Sequence, residues 1–389
     1  DIDTYHDAMG DDDDIDICSV DSKNDDEVDV WSVELKKHFV GNFSMAVSQA
    51  NENIEDRCQV EAFKDATFVG IYDGHGGQEA ADYVLNHLFK HFIEHIIKAK
   101  VMSEAAIRYA IAATEQGFTE VVRDAIETQP FMASVGTSCL IGVIWRDTIY
   151  VANLGDSQVV LGCNGSPPLS DSGSMQAYSL SLVHDINELN IKKELLDTHF
   201  YDFTTGNDWL QLIKNRIQVS RSVGDAYLKY PELARPNIPI SKALLTTEPT
   251  TQILFLRGRD KFLIFGSGGL WKHISKDEAV EFVHNHPSKG IAKRLVKEAQ
   301  RRAAEGVDIS CEEVKKAAVG EERAQIHDDI TVVIIFVDYE KLCKESSAEF
   351  CESIVCFSNK ASQSEFSQLE NLAGHDRIPA AETKSAIKY

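Results

Sequence analysis

Basic residues are scarce in this 389-residue chain: 39 Lys and Arg stand against 62 Asp and Glu, a formal net charge of −23. That balance excludes a nucleic-acid binder that depends on a broad basic face, because phosphate binding is carried by Lys and Arg. Cysteine is present but unpatterned. Cys18, Cys58, Cys139, Cys163, Cys311, Cys343, Cys351 and Cys356 show no C-x-x-C pair and no zinc spacing, which excludes a disulfide scaffold and suits free thiols in a reducing compartment. No apolar run approaches the ~18 residues that span a bilayer, and the first residues are acidic where a signal peptide is basic and then apolar. An intracellular protein of the cytoplasm or nucleus is therefore expected, although the chain starts at Asp1 and not at Met. There is no internal repeat.

What is present is ordinary globular material: 43% hydrophobic, 8% aromatic and 26% charged residues, enough for a large core. The charge is uneven, since residues 1–30 hold thirteen acids and one base. This leader reads as a solvated disordered segment. A patterned body follows over 31–344, and a Ser-, Ala- and Glu-rich tail over 345–389 is expected to pack little against it. In the body, Thr67–Tyr72, Thr148–Asn153, Lys261–Phe265 and Thr331–Val337 are short apolar runs that predict buried strands. Val84, Leu88, Phe92 and Ile96 recur every fourth residue and predict a helix over Glu79–Lys100; Ile107, Ile111, Phe118, Val122 and Ile126 predict another over Glu104–Glu127. Ser275–Glu278 and Ser310–Glu313 are capping boxes that predict helix starts, with Gly306 and Gly320 as stops. The stretch from Gly165 to Asn215 is polar and reads as an excursion. Few β-α-β alternations occur, so the expected class is α+β, with helices packed outside an antiparallel sandwich.

The chemistry-bearing signal is a repeated placement of aspartate at strand ends. Phe68–Tyr72 runs into Asp73-Gly74-His75-Gly76-Gly77, Tyr150–Leu154 runs into Gly155-Asp156-Ser157, and Asp328-Asp329 opens Ile330–Val333. Carboxylates so placed can converge on one rim, where they repel one another unless a cation binds. All-oxygen ligation suits Mg²⁺ or Mn²⁺. The pair Glu55-Asp56 could add ligands through water.

These segments, together with Gly136-Thr137-Ser138, Gln218-Val219-Ser220-Arg221-Ser222-Val223-Gly224-Asp225 and His327-Asp328-Asp329-Ile330-Thr331-Val332, resemble in order the motifs of type 2C metal-dependent protein serine/threonine phosphatases. Asn42–Val47 and His284-Asn285-His286-Pro287 look most like the D clade of the plant branch. The resemblance spans about Trp31 to Asp338. It implies a four-layer α-β-β-α sandwich, acting as a monomer on phosphorylated proteins, with two Mg²⁺ or Mn²⁺ ions sharing a hydroxide at one edge. By the same resemblance Asp73 bridges both ions, Gly74 offers its carbonyl, and Asp328 holds the first ion. Glu55 acts on the second ion through water, Asp156 belongs to a third, weaker site, and His75 is the general acid.

One departure stands out. Where the family reads Ser-Asp-Gly-Leu-Trp, with the Asp ligating the first ion, this chain reads Ser267-Gly268-Gly269-Leu270-Trp271, followed by Lys272. A carboxylate is lost and a cation is nearby. Loss of a ligand should cost no less than the roughly 10–100-fold of an outer-shell change. Two main readings follow: a weakened phosphatase, or a catalytically silent binding protein on the same fold. A metal-dependent hydrolase of non-protein phosphates shares the same metal site and is a third.

Overall fold

The computed structural model describes residues 30–165, 174–198, 217–236, 240–342, 352–357 and 360–363. Its backbone is organised by two antiparallel sheets. The first has the order β1 (Val30–His38), β2 (Gly41–Ser48), β14 (Ile330–Phe336), β13 (Asp260–Gly266), β9 (Gln158–Asn164) and β10 (Met175–Ser179). The second runs β12 (Thr250–Phe255), β8 (Thr148–Leu154), β7 (Cys139–Trp145), β4 (Ala66–Tyr72), β3 (Arg57–Ala62), β15 (Glu352–Phe357) and β16 (Lys360–Gln363). A small third ladder joins β11 (Val223–Gly224), β6 (Gly136–Thr137) and β5 (Gly74–His75).

The apolar runs of the sequence become strands because both of their faces are covered. One face of each large sheet meets the other sheet, where Met45, Val60, Val69, Ile71, Phe265 and Val333 form the inner core. On the outer face of the second sheet lie α1 (Glu79–Ala99) and α2 (Glu104–Ala125), which bury Leu88, Phe92, Ile107 and Ile111 against Phe68, Ile141 and Tyr150. The ring of Phe68 meets Phe89 edge-on, with centroids 5.0 Å apart, a favourable arrangement for two aromatic quadrupoles.

A short α3 (Leu189–Thr198) and a single turn, α4 (Gly268–Trp271), precede α5 (Lys276–Asn285) and α6 (Ile291–Gly306). These last two cover the outer face of the first sheet through Val280, Leu295 and Ala299 on Ile264, Val332 and Ile334. The expected four-layer α-β-β-α sandwich is the observed architecture. Both capping boxes form, at Ser275 of α5 and at Ser310 of α7 (Cys311–Lys316).

Three expectations need correction. Gly320 does not stop a helix: α7 ends at Lys316, and Gly320 at φ 113° begins α8 (Glu321–Ala324). The polar stretch after Gly165 is not wholly an excursion, since Met175–Ser179 extends the first sheet and Leu189–Thr198 is helical; residues 199–216 lie outside the described part. The tail packs against the body where it is described. Residues 352–356 pair with 58–62 of β3, and Ile354 is buried in the inner core. The leader before Val30 and residues 364–389 lie outside the described part. A last turn, α9 (Tyr339–Leu342), follows β14.

Candidate active site at the sheet rim

Strand ends carry the acidic residues to one rim. Asp73 follows β4, Asp156 follows β8, Asp328 and Asp329 precede β14, and Glu55-Asp56 precede β3. They converge as expected: Asp73 is close enough to Asp156 and Asp328 for their charges to act on it, and Gly268 faces the same group. The Gly268 N–H donates to Asp73 Oδ2 at 2.9 Å.

The rim is held by a carboxylate with a scaffolding role. Asp329, buried, accepts from the backbone N–H groups of Ala50 at 2.7 Å, Asn51 at 3.1 Å and Glu55 at 2.8 Å. It thereby fixes the loop that presents Glu55 against the start of β14. Asp56 is buried and accepts from Thr331 Oγ1 at 2.6 Å. Its partner Glu55 sits against Gly74, as a Cβ added to that glycine would meet the Glu55 carbonyl at 2.7 Å.

Burial, and after it the crowding of acids, raises their affinity for protons. Burial, then the charge of Asp329, pushes Glu55 up to about 7. Burial and the charges of Asp156 and Asp328 raise Asp73 well above the usual carboxylate range, and burial foremost raises Asp56 and Asp156. Asp328 behaves oppositely. Burial opposes its charge, but the Lys272 ammonium overrides that and holds it below the usual range. The Lys272 Nζ donates to Asp328 Oδ2 at 2.9 Å, while Asn51 Nδ2 and the Asp329 N–H donate to Oδ1 at 3.1 and 2.9 Å.

His75 stands beside this rim, paired with Asp225: Nε2 lies 2.8 Å from Oδ2. Because an ionised carboxylate can only accept, Nε2–H is the donor, and Nδ1 is the nitrogen that Asp225 does not engage. Burial disfavours the imidazolium, yet the Asp225 charge more than offsets it and the His75 pKa is raised. Asp225 is fully buried at φ 51° and also accepts from Ser222 Oγ at 2.6 Å. Behind it, Glu115 of α2 accepts from the Gly224 N–H at 2.8 Å and from Lys229 Nζ at 2.9 Å, so α2 locks the loop that carries Asp225.

The oxygen donors at Asp73, the Gly74 carbonyl and Glu55 are of the type a hard divalent cation takes, and a cation there would offset the repulsion that, after burial, raises Asp73 and Glu55. The first-ion position does not fit. At Gly268 there is no side chain, and a Cβ placed there would lie 2.5 Å from Asp156 Oδ2; Asp328 already holds an ammonium. Among the described residues no three His, Cys, Asp or Glu side chains form a ligand set for one cation.

Sequence reasoning quoted Asp225 but gave it no role, and it missed the scaffold of Asp329 and Asn51. The signal for Asp225 was available: Val223-Gly224-Asp225 repeats the placement of an acid beside glycine at a short strand that marked Asp73.

Comparison with known proteins agrees with this architecture. The family profile described as Protein phosphatase 2C matches residues 40–307. The chain is 41% identical over 352 residues to Probable protein phosphatase 2C 43 of Oryza sativa subsp. japonica, covering 87% of this chain and 89% of that protein. It is 42% identical over 344 residues to Probable protein phosphatase 2C 68 of Arabidopsis thaliana, covering 86% and 87%. In fold it is similar to the serine-threonine phosphatase 2C of Toxoplasma gondii, with a TM-score of 0.57 at 14% identity over 79% of this chain and 99% of that one. With the family profile matching residues 40–307 and relatives above 40% identical aligned to more than two thirds of its length, the chain belongs to the protein phosphatase 2C family.

Proposed function

We propose that the chain removes phosphate from phosphoserine and phosphothreonine in proteins at this rim, at a rate held down by the altered first-ion position. Membership of a family of protein serine/threonine phosphatases that generally depend on Mg²⁺ or Mn²⁺ supports the reaction class. The observation that carries it is the His75–Asp225 pair set beside the carboxylate rim. An alkoxide leaves poorly without a proton, and His75 is oriented to supply one from Nδ1 while Asp225 holds Nε2–H. A divalent cation on Asp73, Gly74 and Glu55 would activate water and offset charge on the phosphoryl oxygens. The chain's own part is to position that acid, hold the Glu55 loop at the rim through Asp329, and leave His75 partly exposed to solvent.

A second reading, a phosphoprotein-binding member without turnover, is favoured by Gly268 and the Lys272–Asp328 pair. The two separate in a phosphate-release assay of the purified chain on phosphopeptide with Mn²⁺. Turnover that disappears in Asp73→Asn supports the phosphatase. A parent no faster than Asp73→Asn supports the binding protein.

A further inference from the structure

We infer that the Lys272 ammonium stands in for the first metal ion, so that the rim accepts one divalent cation where the family pattern implies two. This rests on reading the rim as the cation site of the Proposed function, and it holds whether or not the chain turns over substrate.

Four observations converge. The ammonium is seated on Asp328, the residue that the resemblance gives to the first ion, with Nζ 2.9 Å from Oδ2. The other oxygen of Asp328 accepts from Asn51 Nδ2 and the Asp329 N–H, so each of its oxygens already has a donor. The charge of the ammonium also acts on Asp73 and Asp156.

The fourth observation is Gly268. Its N–H, and no carboxylate, faces Asp73 Oδ2, and the space its side chain would fill is bordered by Asp156 Oδ2. Relative to a rim with an aspartate at 268 and no cation at 272, this rim is two charges more positive, which is the charge of one divalent ion. The lysine is well placed to be fixed. It caps α4, its N–H donating to the Gly268 carbonyl at 3.1 Å, so glycine and ammonium sit at the two ends of one helical turn.

An ammonium is a compact point charge that can sit in a carboxylate cluster, but it cannot polarise water as a divalent ion does. Substitution of one for the other keeps the charge balance of the rim and sacrifices half of its Lewis acidity.

The alternative is that Lys272 and Asp328, whose side chains are 48% and 43% exposed, form a surface ion pair of little consequence. Calorimetric titration of the metal-stripped full chain with MnCl₂ decides between them. Any background from the acidic leader is common to all variants and cancels. The parent should show one rim equivalent, absent in Asp73→Asn. Lys272→Arg should behave as the parent. The double variant Gly268→Asp/Lys272→Gln should show a second equivalent, and Lys272→Gln alone a weaker second binding event. Two equivalents on the parent, none on the parent, or an isotherm unchanged in both Gln-bearing variants would overturn the inference. Because no turnover is measured, failure of the phosphatase reading leaves these outcomes unaffected. Circular dichroism melting of each variant checks that the fold is intact.

Discussion

At the scale of single residues, the side chain that governs His75 is Asp225, which only the folded chain brings to it. Asp225→Asn keeps the size and tolerates the left-handed backbone, but removes the charge that stabilises the imidazolium. We expect phosphopeptide turnover to fall about 10²–10⁴-fold, the range of a general acid, with the melting transition retained. An unchanged rate would show that His75 carries no proton. Gly136 tests the same pair from its floor, since a Cβ there would run into Asp225 Oδ2 and His75 Nε2. Gly136→Ala should therefore reproduce the loss seen in Asp225→Asn. Gly268→Asp alone is a weaker repair than its sequence context suggests. The backbone at 268 is not left-handed, so strain is absent, but Asp156 must rotate away and Lys272 still occupies Asp328.

At the scale of elements, β15 carries the largest revision. Its pairing with β3 means that the second sheet would present the open edge of β3 without it, and unpaired backbone at an edge invites association with other chains. Ile354→Ala should cost about 2–4 kcal/mol in urea unfolding, the range for truncating a buried aliphatic side chain. Deletion from residue 352 onward should lower the melting midpoint and promote concentration-dependent aggregation, seen by light scattering. If midpoint and scattering both match the full chain, the strand adds nothing to the domain. Sequence periodicity could not reveal β15, because a six-residue strand one place in from the sheet edge, with one described buried side chain, has almost no pattern to detect.

Across the whole molecule, His38 ties the two sheets together. It ends β1, its Nε2–H donates 2.8 Å to the Phe336 carbonyl of β14, and its Nδ1 accepts from Thr67 Oγ1 of β4 at 3.2 Å. Burial foremost lowers its pKa to about 4 from an ordinary 6.5. The unfolded chain therefore binds a proton that the folded chain refuses between these values, so stability falls as pH drops from about 6.5 toward 4 and levels off below. The full effect is about 3 kcal/mol, from about 2.5 pK units. Urea midpoints measured across this window should show the loss, and His38→Gln should flatten that part of the profile. An identical slope in the variant would assign the pH dependence to other groups.

The elements whose evidence is local were legible in the sequence: α1 and α2 through their four-residue recurrence, β4, β8, β13 and β14 through unbroken apolar runs, and the α5 and α7 starts through capping boxes. Asp73, Asp156 and Asp328 were legible as rim residues because strand ends beside glycine or a second acid mark where a sheet stops. What depended on distance in space was not legible. The 150-residue separation between His75 and Asp225, the seating of Lys272 on Asp328, and the hold of Asp329 on the Glu55 loop each join segments that no local pattern connects. The sequence alone determined which acids reach the rim, since side-chain alternation and strand ends are local properties. Only the tertiary structure decided which charges meet there, because Coulomb energies and hydrogen bonds depend on separations that packing of the two sheets sets.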